Sequence, residues 1–161
     1  YRMKKFFLML LLVIAIIGVV FISIKKFFGS KATEETRSFE TINLRISGMR
    51  VTQEYEIICR GGETEILLYQ ISYANGKDER RLEKSAVVKT EKMIEILNFC
   101  GFSGWNGFKG EHPKNVSDGD MFRLEAVIND SEKIYAEGSA NFPKGYSEFK
   151  KELYELLDDK N

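Results

Sequence analysis

The chain has little with which to staple itself or to hold a metal. Of its 161 residues only two are cysteine, Cys59 and Cys100. They form no C-x-x-C pair, which argues against ligation of a metal by sulfur. Two buried free thiols are the plain expectation, since a disulfide needs an oxidising compartment and close Cα atoms. His112 is the single histidine, so the H-x-x-x-H and H-x-H pairs that hold zinc are missing. With 2 prolines the chain has no long Pro-rich linker. No G-x-S-x-G, no G-x-x-x-x-G-K-[ST] phosphate loop and no dinucleotide fingerprint after a strand occurs.

Acid is missing from the start of the chain. Residues 1–29 hold Arg2, Lys4, Lys5, Lys25 and Lys26 and no Asp or Glu. The remainder keeps 19 of the 24 basic residues and all 24 acidic ones, a net of −5. A mildly acidic domain argues against nucleic acid, which needs a concentrated basic surface. It argues equally against the domain lying flat on anionic lipid.

What is present begins with an apolar run. Phe6 to Ile24 is free of charge, and only Gly18 and Ser23 are not strongly apolar. As a helix this run spans roughly 28 Å, close to the hydrocarbon thickness of a bilayer. Lys4 and Lys5 before it and Lys25 and Lys26 after it can snorkel into the headgroup layer. The expectation is a single-pass anchor over 1–28, with a transmembrane helix over 6–24 whose partner is the lipid bilayer. An uncleaved signal anchor is favoured over a signal peptide. The run is long for a signal peptide, and the small-x-small site Ser30-Lys31-Ala32 lies beyond the second lysine pair. Basic residues nearly balance across the run. The shortness of the N-terminal tail then places the tail in the cytoplasm and the domain outside, at the cell membrane.

The remaining chain suits one domain. Hydrophobic residues make up 43% and charged residues 30%, as in a folded protein with a real core. Residues 29–38 are polar and read as a juxtamembrane linker, leaving 39–161 for a single α+β domain. Ile42, Leu44 and Ile46 alternate with polar residues, the period of a half-buried strand. Gln53, Tyr55, Ile57 and Cys59 share one face of a second strand. Gly61-Gly62 signals a hairpin into a third strand, with Leu67, Tyr69, Ile71 and Tyr73 on one face. Thr90 can cap a helix bearing Met93, Ile94, Leu97 and Cys100, and Gly101 can end it. Phe122 to Ile128 alternates again, and Asn129-Asp130-Ser131 turns into a fifth strand through Ile134 and Ala136. Ser147 can cap a last helix striped by Phe149, Leu153, Leu156 and Leu157. The predicted order is β-β-β-α-β-β-α, an antiparallel sheet with two helices packed on one face.

The candidate binding residues lie between these elements. Residues 102–120 form a long glycine-rich stretch, and such loops in compact domains are often functional. Trp105 and Phe108 stand there among glycines. They either contact a ligand or partner, or fold back to plug the core, the plainer reading. Asp118-Gly119-Asp120 resembles a fragment of a calcium loop. The pattern then fails: counted from Asp118, position five is Phe122 and position 12 is Asn129. A turn entering a strand is the simpler reading of both aspartates. Asn141, in Gly138-Ser139-Ala140-Asn141-Phe142-Pro143, can bridge backbone groups. Binding candidates are therefore Trp105, Phe108, Asp118, Asp120 and Asn141, with no metal and no cofactor expected.

Trp105-x-Gly107, then Asp118-Gly119-Asp120-x-Phe122-x-Leu124, then Gly138-Ser139-x-Asn141-x-Pro143 before an amphipathic helix, resembles a group of small bacterial envelope domains. The resemblance covers roughly Phe99 to Leu157. It implies a membrane-anchored or secreted location and an α+β layout. It implies no catalytic residue.

These features point first to a membrane-anchored, extracytoplasmic, non-catalytic binding domain with a protein or cell-envelope partner. An immunity or inhibitor-type protein at the membrane is the alternative. A small envelope enzyme joining His112 to Asp118 and Asp120 is the third, and requires those groups to converge.

Overall fold

A computed structural model of the protein describes residues 34–74 and 76–158. The apolar run Phe6 to Ile24 lies outside the described residues, and among the described ones no helix is long and apolar enough to cross a membrane. The described residues from Glu35 onward form one compact unit.

Among the described residues seven strands make one sheet: β1 (Phe39–Ser47), β2 (Thr52–Arg60), β3 (Glu63–Ala74), β4 (Lys77–Lys89), β5 (Lys109–Gly110), β6 (Met121–Ile128) and β7 (Glu132–Ser139). Their spatial order is β4-β3-β2-β1-β6-β7-β5. Helix α1 (Thr90–Phe99) follows β4, a 3-10 turn (Phe102–Trp105) follows α1, and α2 (Tyr146–Asp158) closes the fold. The class is α+β, with three corrections to the expected plan.

The first correction is β4. Its outward residues are charged or exposed, as in KDERRLEKS, so no apolar alternation marks it. It is the edge of the sheet, and charge along an edge blocks pairing with a further chain. The second is β5, two residues paired parallel to β7, which makes the sheet mixed rather than antiparallel. Two residues carry no periodicity to read. The third concerns capping. Thr90 begins α1, and its hydroxyl donates to the Gly61 carbonyl at 2.9 Å and lies 3.1 Å from Thr64 Oγ1, tying the helix to the β2–β3 turn. The last helix starts at Tyr146, so Ser147 sits inside it.

The period-two reading of β1 holds in detail. Ile42 faces Ile57 and Ala126, and Leu44 faces Tyr55 and Leu124. These residues turn one face of the sheet into a core completed by Met93, Leu97, Phe149 and Leu153 from the helices. In β3 the core residues are Ile66 and Leu68, so Leu67 and Tyr69 take the other face. A bulge opposite Leu68 and Tyr69 shifts β4 by one residue at that point.

Turn chemistry fits the positive φ values. Gly61 stands at +76°, Gly76 at +78° and Gly101 at +65°, each at the end of an element. Asn129, Asp130 and Ser131 all carry positive φ in the β6–β7 turn. Chain entry is pinned as well. The Thr36 N–H donates to Asn98 Oδ1 at 2.8 Å while Asn98 Nδ2 returns a bond to the Thr36 carbonyl at 2.9 Å. Asn129 Oδ1 accepts from the Arg37 N–H at 2.8 Å. Residues 36–38, read from sequence as linker, thus belong structurally to the folded unit.

Candidate functional site

The five sequence candidates separate by burial. Trp105 is buried: the 3-10 turn points its indole inward, and Nε1 donates to the Lys144 carbonyl at 2.9 Å. Its ring lies 5.0 Å from Phe102, 5.6 Å from Phe149 and 6.0 Å from Tyr146. Aromatic pairs at these separations are favourable beyond their buried area. Trp105 therefore plugs the core and offers nothing to a ligand. Phe108 is half-buried and packs 6.2 Å from Phe122.

Asp118, Asp120 and Asn141 are exposed. Asp120 approaches the β1–β2 turn so closely that a Cβ at Gly48 would lie 2.8 Å from its Oδ1. Its carbonyl accepts from the Ala140 N–H at 2.9 Å. Burial, reinforced by the Asp120 charge, pushes the Tyr146 phenol well above its ordinary range. Asn141 Nδ2 donates to the Glu111 carbonyl at 3.3 Å, the bridging role its residue type allows. Among the described residues no group of three or more His, Cys, Asp or Glu stands together as a metal site.

His112 does not meet either aspartate through its ring nitrogens. Nδ1 lies 2.8 Å from Ser139 Oγ, and Nε2 lies 2.6 Å from the Val116 carbonyl oxygen. The triad of His112, Asp118 and Asp120 expected for an envelope enzyme is thus replaced by a His112–Ser139 pair.

The larger surface feature is the sheet face away from the helices. Alternation places Arg45, Glu54, Glu56, Tyr69 and Arg80 there, opposite to the core residues of the same strands. Arg80 lies 4.0 Å over the Tyr69 ring while Nη2 reaches Glu54 at 2.7 Å and Glu56 at 3.1 Å. Arg45 bonds Asp78 at 2.8 Å beside it. Across the sheet the pattern recurs. Arg123 sits 5.5 Å over Tyr135 and donates to Glu125 at 2.7 Å, and the Tyr135 hydroxyl donates to Glu137 at 2.5 Å. That bond to Glu137, with burial second, raises the Tyr135 pKa.

Shallow grooves open on and beside this face among the described residues. One, about 290 Å³, lies over β1, β6 and β7 between Thr41, Asn43, Glu125, Val127, Lys133 and Tyr135. Another, about 380 Å³, lies at the far end between β5, β6 and β7, beside Ser139. Two features keep this face from showing in the sequence. Arg80 belongs to the strand without apolar alternation, and the polar members of β1, β2 and β6 served there only to mark the outside. The alternation itself was the signal that could have assembled Arg45, Glu54, Arg123 and Glu125 into one surface.

Comparison with protein-family models, curated proteins and solved structures finds no match.

Proposed function

We propose that the protein is a binding and interaction domain tethered to a membrane by its N-terminus, using the uncovered face of its sheet. The observation that carries this reading is the contrast across one sheet: one face is sealed by two helices, and the other holds paired arginines over tyrosines with grooves beside them. Arginine and tyrosine are the side chains that most often anchor protein interfaces. Their geometry here is pre-set by flanking carboxylates, which lowers the entropy lost on docking. The tether rests on the charge-free run Phe6 to Ile24 between lysine pairs. An outward orientation, with a protein or cell-envelope partner, rests on the resemblance of the C-terminal half to envelope domains.

The test uses the full chain in intact cells. A photoreactive residue replaces Tyr69 or Tyr135 on the open face, and Glu155 on α2 as the control. One discrete adduct shared by the two open-face positions and absent at Glu155 is the expected result. No adduct at either tyrosine position, or equal adducts at all three, overturns the reading. Protease shaving of the same cells, read at a C-terminal tag, tests orientation: loss of the tag from sealed cells places the domain outside.

A further inference from the structure

We propose that Ser139 is the nucleophile of an acyl-transfer site, with His112 as its general base, acting on an ester seated in the groove beside β5. This goes beyond the tethered-binding reading and departs from the expectation of a non-catalytic domain.

The argument starts from the imidazole. A backbone carbonyl can only accept, so the Val116 oxygen, 2.6 Å from Nε2, requires the proton to be on Nε2. The lone pair of a neutral imidazole is then on Nδ1. In that form Ser139 Oγ, 2.8 Å from Nδ1, is the donor. The result is a nucleophile, a base and a group that orients the base, in one line. Serine hydroxyls are poor nucleophiles until such a base is in place.

The serine is also held. Gly138, just before it, admits no side chain, because a Cβ would stand 2.2 Å from the Asn141 carbonyl oxygen. Ala140, just after it, is fixed at φ +48°, a conformation that non-glycine residues adopt at a cost. Its N–H is anchored on the Asp120 carbonyl at 2.9 Å. Strain of this kind persists where the surroundings over-determine it, and it clusters at functional sites.

The groove sets the substrate class. Ser139 opens into a space of about 380 Å³, within the range of small-ligand sites. Met121 and Phe122 give it an apolar wall for an acyl chain. Lys109 lines it and is the cation available to a developing oxyanion. Glu111 and Glu137 outnumber that lysine, so the groove suits a neutral or cationic ester over an anionic one.

In the step itself the Oγ–H proton passes to His112 Nδ1 as Oγ bonds the ester carbonyl carbon. The tetrahedral oxyanion collapses, the ester C–O bond breaks, and the leaving alkoxide takes the proton from Nδ1 and departs as an alcohol. Water then gives a proton to the same nitrogen as its oxygen bonds the acyl carbon, the acyl carbon–Oγ bond breaks, Oγ takes that proton back from Nδ1, and the acyl group leaves as a carboxylic acid. No oxidant or reductant enters.

The experiment treats the full chain in detergent with a fluorophosphonate probe and reads intact mass and the labelled peptide. The expected result is one phosphonyl group on Ser139, none on Ser139→Ala, and labelling of His112→Gln slower on the order of 100-fold, the usual contribution of a general base. Circular dichroism confirms that each variant is folded. Should Ser139→Ala not fold, Ser139→Cys in a Cys59→Ser, Cys100→Ser background takes its place. Iodoacetamide must then alkylate it at least tenfold faster than the same chain with His112→Gln. The proposal is overturned if folded wild type takes no label, if label falls on another residue, or if His112→Gln reacts at the wild-type rate. Labelling does not depend on a docked partner, so it can succeed where cross-linking at Tyr69 and Tyr135 fails, and the reverse.

Discussion

The two faces of the sheet are built from the same strands, one residue out of step, and each is ordered by different physics. On the inner face Ile42, Leu44, Ile57 and Leu124 are all fully buried and interlock with Phe149 and Leu153. On the outer face Arg45, Glu54 and Arg80 keep their positions through charge and ring contacts while staying partly in water. Burial of a large apolar side chain stabilises by roughly 1.5–3 kcal/mol, whereas an exposed ion pair contributes about 0–1 kcal/mol. The inner face therefore holds the fold, and the outer face is free to be spent on recognition. That difference can be broken or sharpened by substitution.

The largest effect belongs to the inner face. Phe149 is fully buried, 5.6 Å from both Phe102 and Trp105. Phe149→Ala leaves a cavity among those rings and is expected to cost about 3–5 kcal/mol, a large part of the stability of a domain this size. Thermal unfolding followed by circular dichroism measures it. A loss under about 1 kcal/mol means that the aromatic cluster contributes little to holding the fold.

Close backbone packing comes next. At Gly138 a Cβ would meet the Asn141 carbonyl oxygen at 2.2 Å and Phe122 Cε1 at 2.8 Å, whereas at Gly62 it would meet nothing within 4 Å. Gly138→Ala should destabilise by about 1–3 kcal/mol, the usual range for overpacking, and Gly62→Ala by less than about 0.5 kcal/mol. Urea titration of both variants gives the comparison. Equal effects at the two positions remove the argument that residues 138–141 are wedged against β5 and β6.

The inner face was also the legible one. Apolar alternation marked β1, β2, β6 and β7, and the stripe of Phe149, Leu153, Leu156 and Leu157 marked α2, because burial selects apolar side chains at a fixed period. Lys77–Lys89 was invisible because an edge strand covered on one side only by β3 is free to be charged. The same freedom hid the outer face. Arg80 reaches Glu54 and Glu56 across more than twenty residues of sequence, and only the strand order brings them together. Among the site candidates, His112 and Trp105 stand out in sequence within the long stretch after α1. Sequence does not say that Trp105 turns inward, or that His112 meets Ser139 rather than an aspartate. Trp105 bonds the Lys144 carbonyl and His112 meets Ser139, partners distant in sequence that leave no periodic trace.

Thiol chemistry sharpens the comparison further. Cys100 is buried and Cys59 half-exposed, both free. Burial, with help from Glu148 and Glu152, pushes the Cys100 thiol from 9.0 up to about 11. At pH 8 a disulfide reagent should therefore modify Cys59 in the folded protein and leave Cys100 until denaturant is added. A folded pKa above the unfolded one means that this thiol's contribution to stability is constant below about pH 9. It falls as pH rises from there through about 11, because the unfolded chain loses the proton first. The melting temperature should decline less over that window in Cys100→Ala than in wild type. An equal decline assigns the alkaline loss to other groups, Tyr55 and Tyr146 first, since burial raises both phenols.

The smallest effect is expected where contacts are most numerous. Arg80 is bracketed by Glu54, Glu56 and Tyr69, and its side chain remains 43% exposed. Water already solvates these charges in the unfolded chain, and holding the arginine in one place costs side-chain entropy. Arg80→Ala should therefore cost less than about 1 kcal/mol while weakening any adduct formed from position 69. A double-mutant cycle with Tyr69→Leu isolates the ring contact and should return about 0.5–1 kcal/mol. If instead Arg80→Ala destabilises by more than about 2 kcal/mol, the outer network is part of what holds β3 to β4. The face then has no surplus order to offer a partner, and the distinction between a face that folds and a face that binds fails at its central residue.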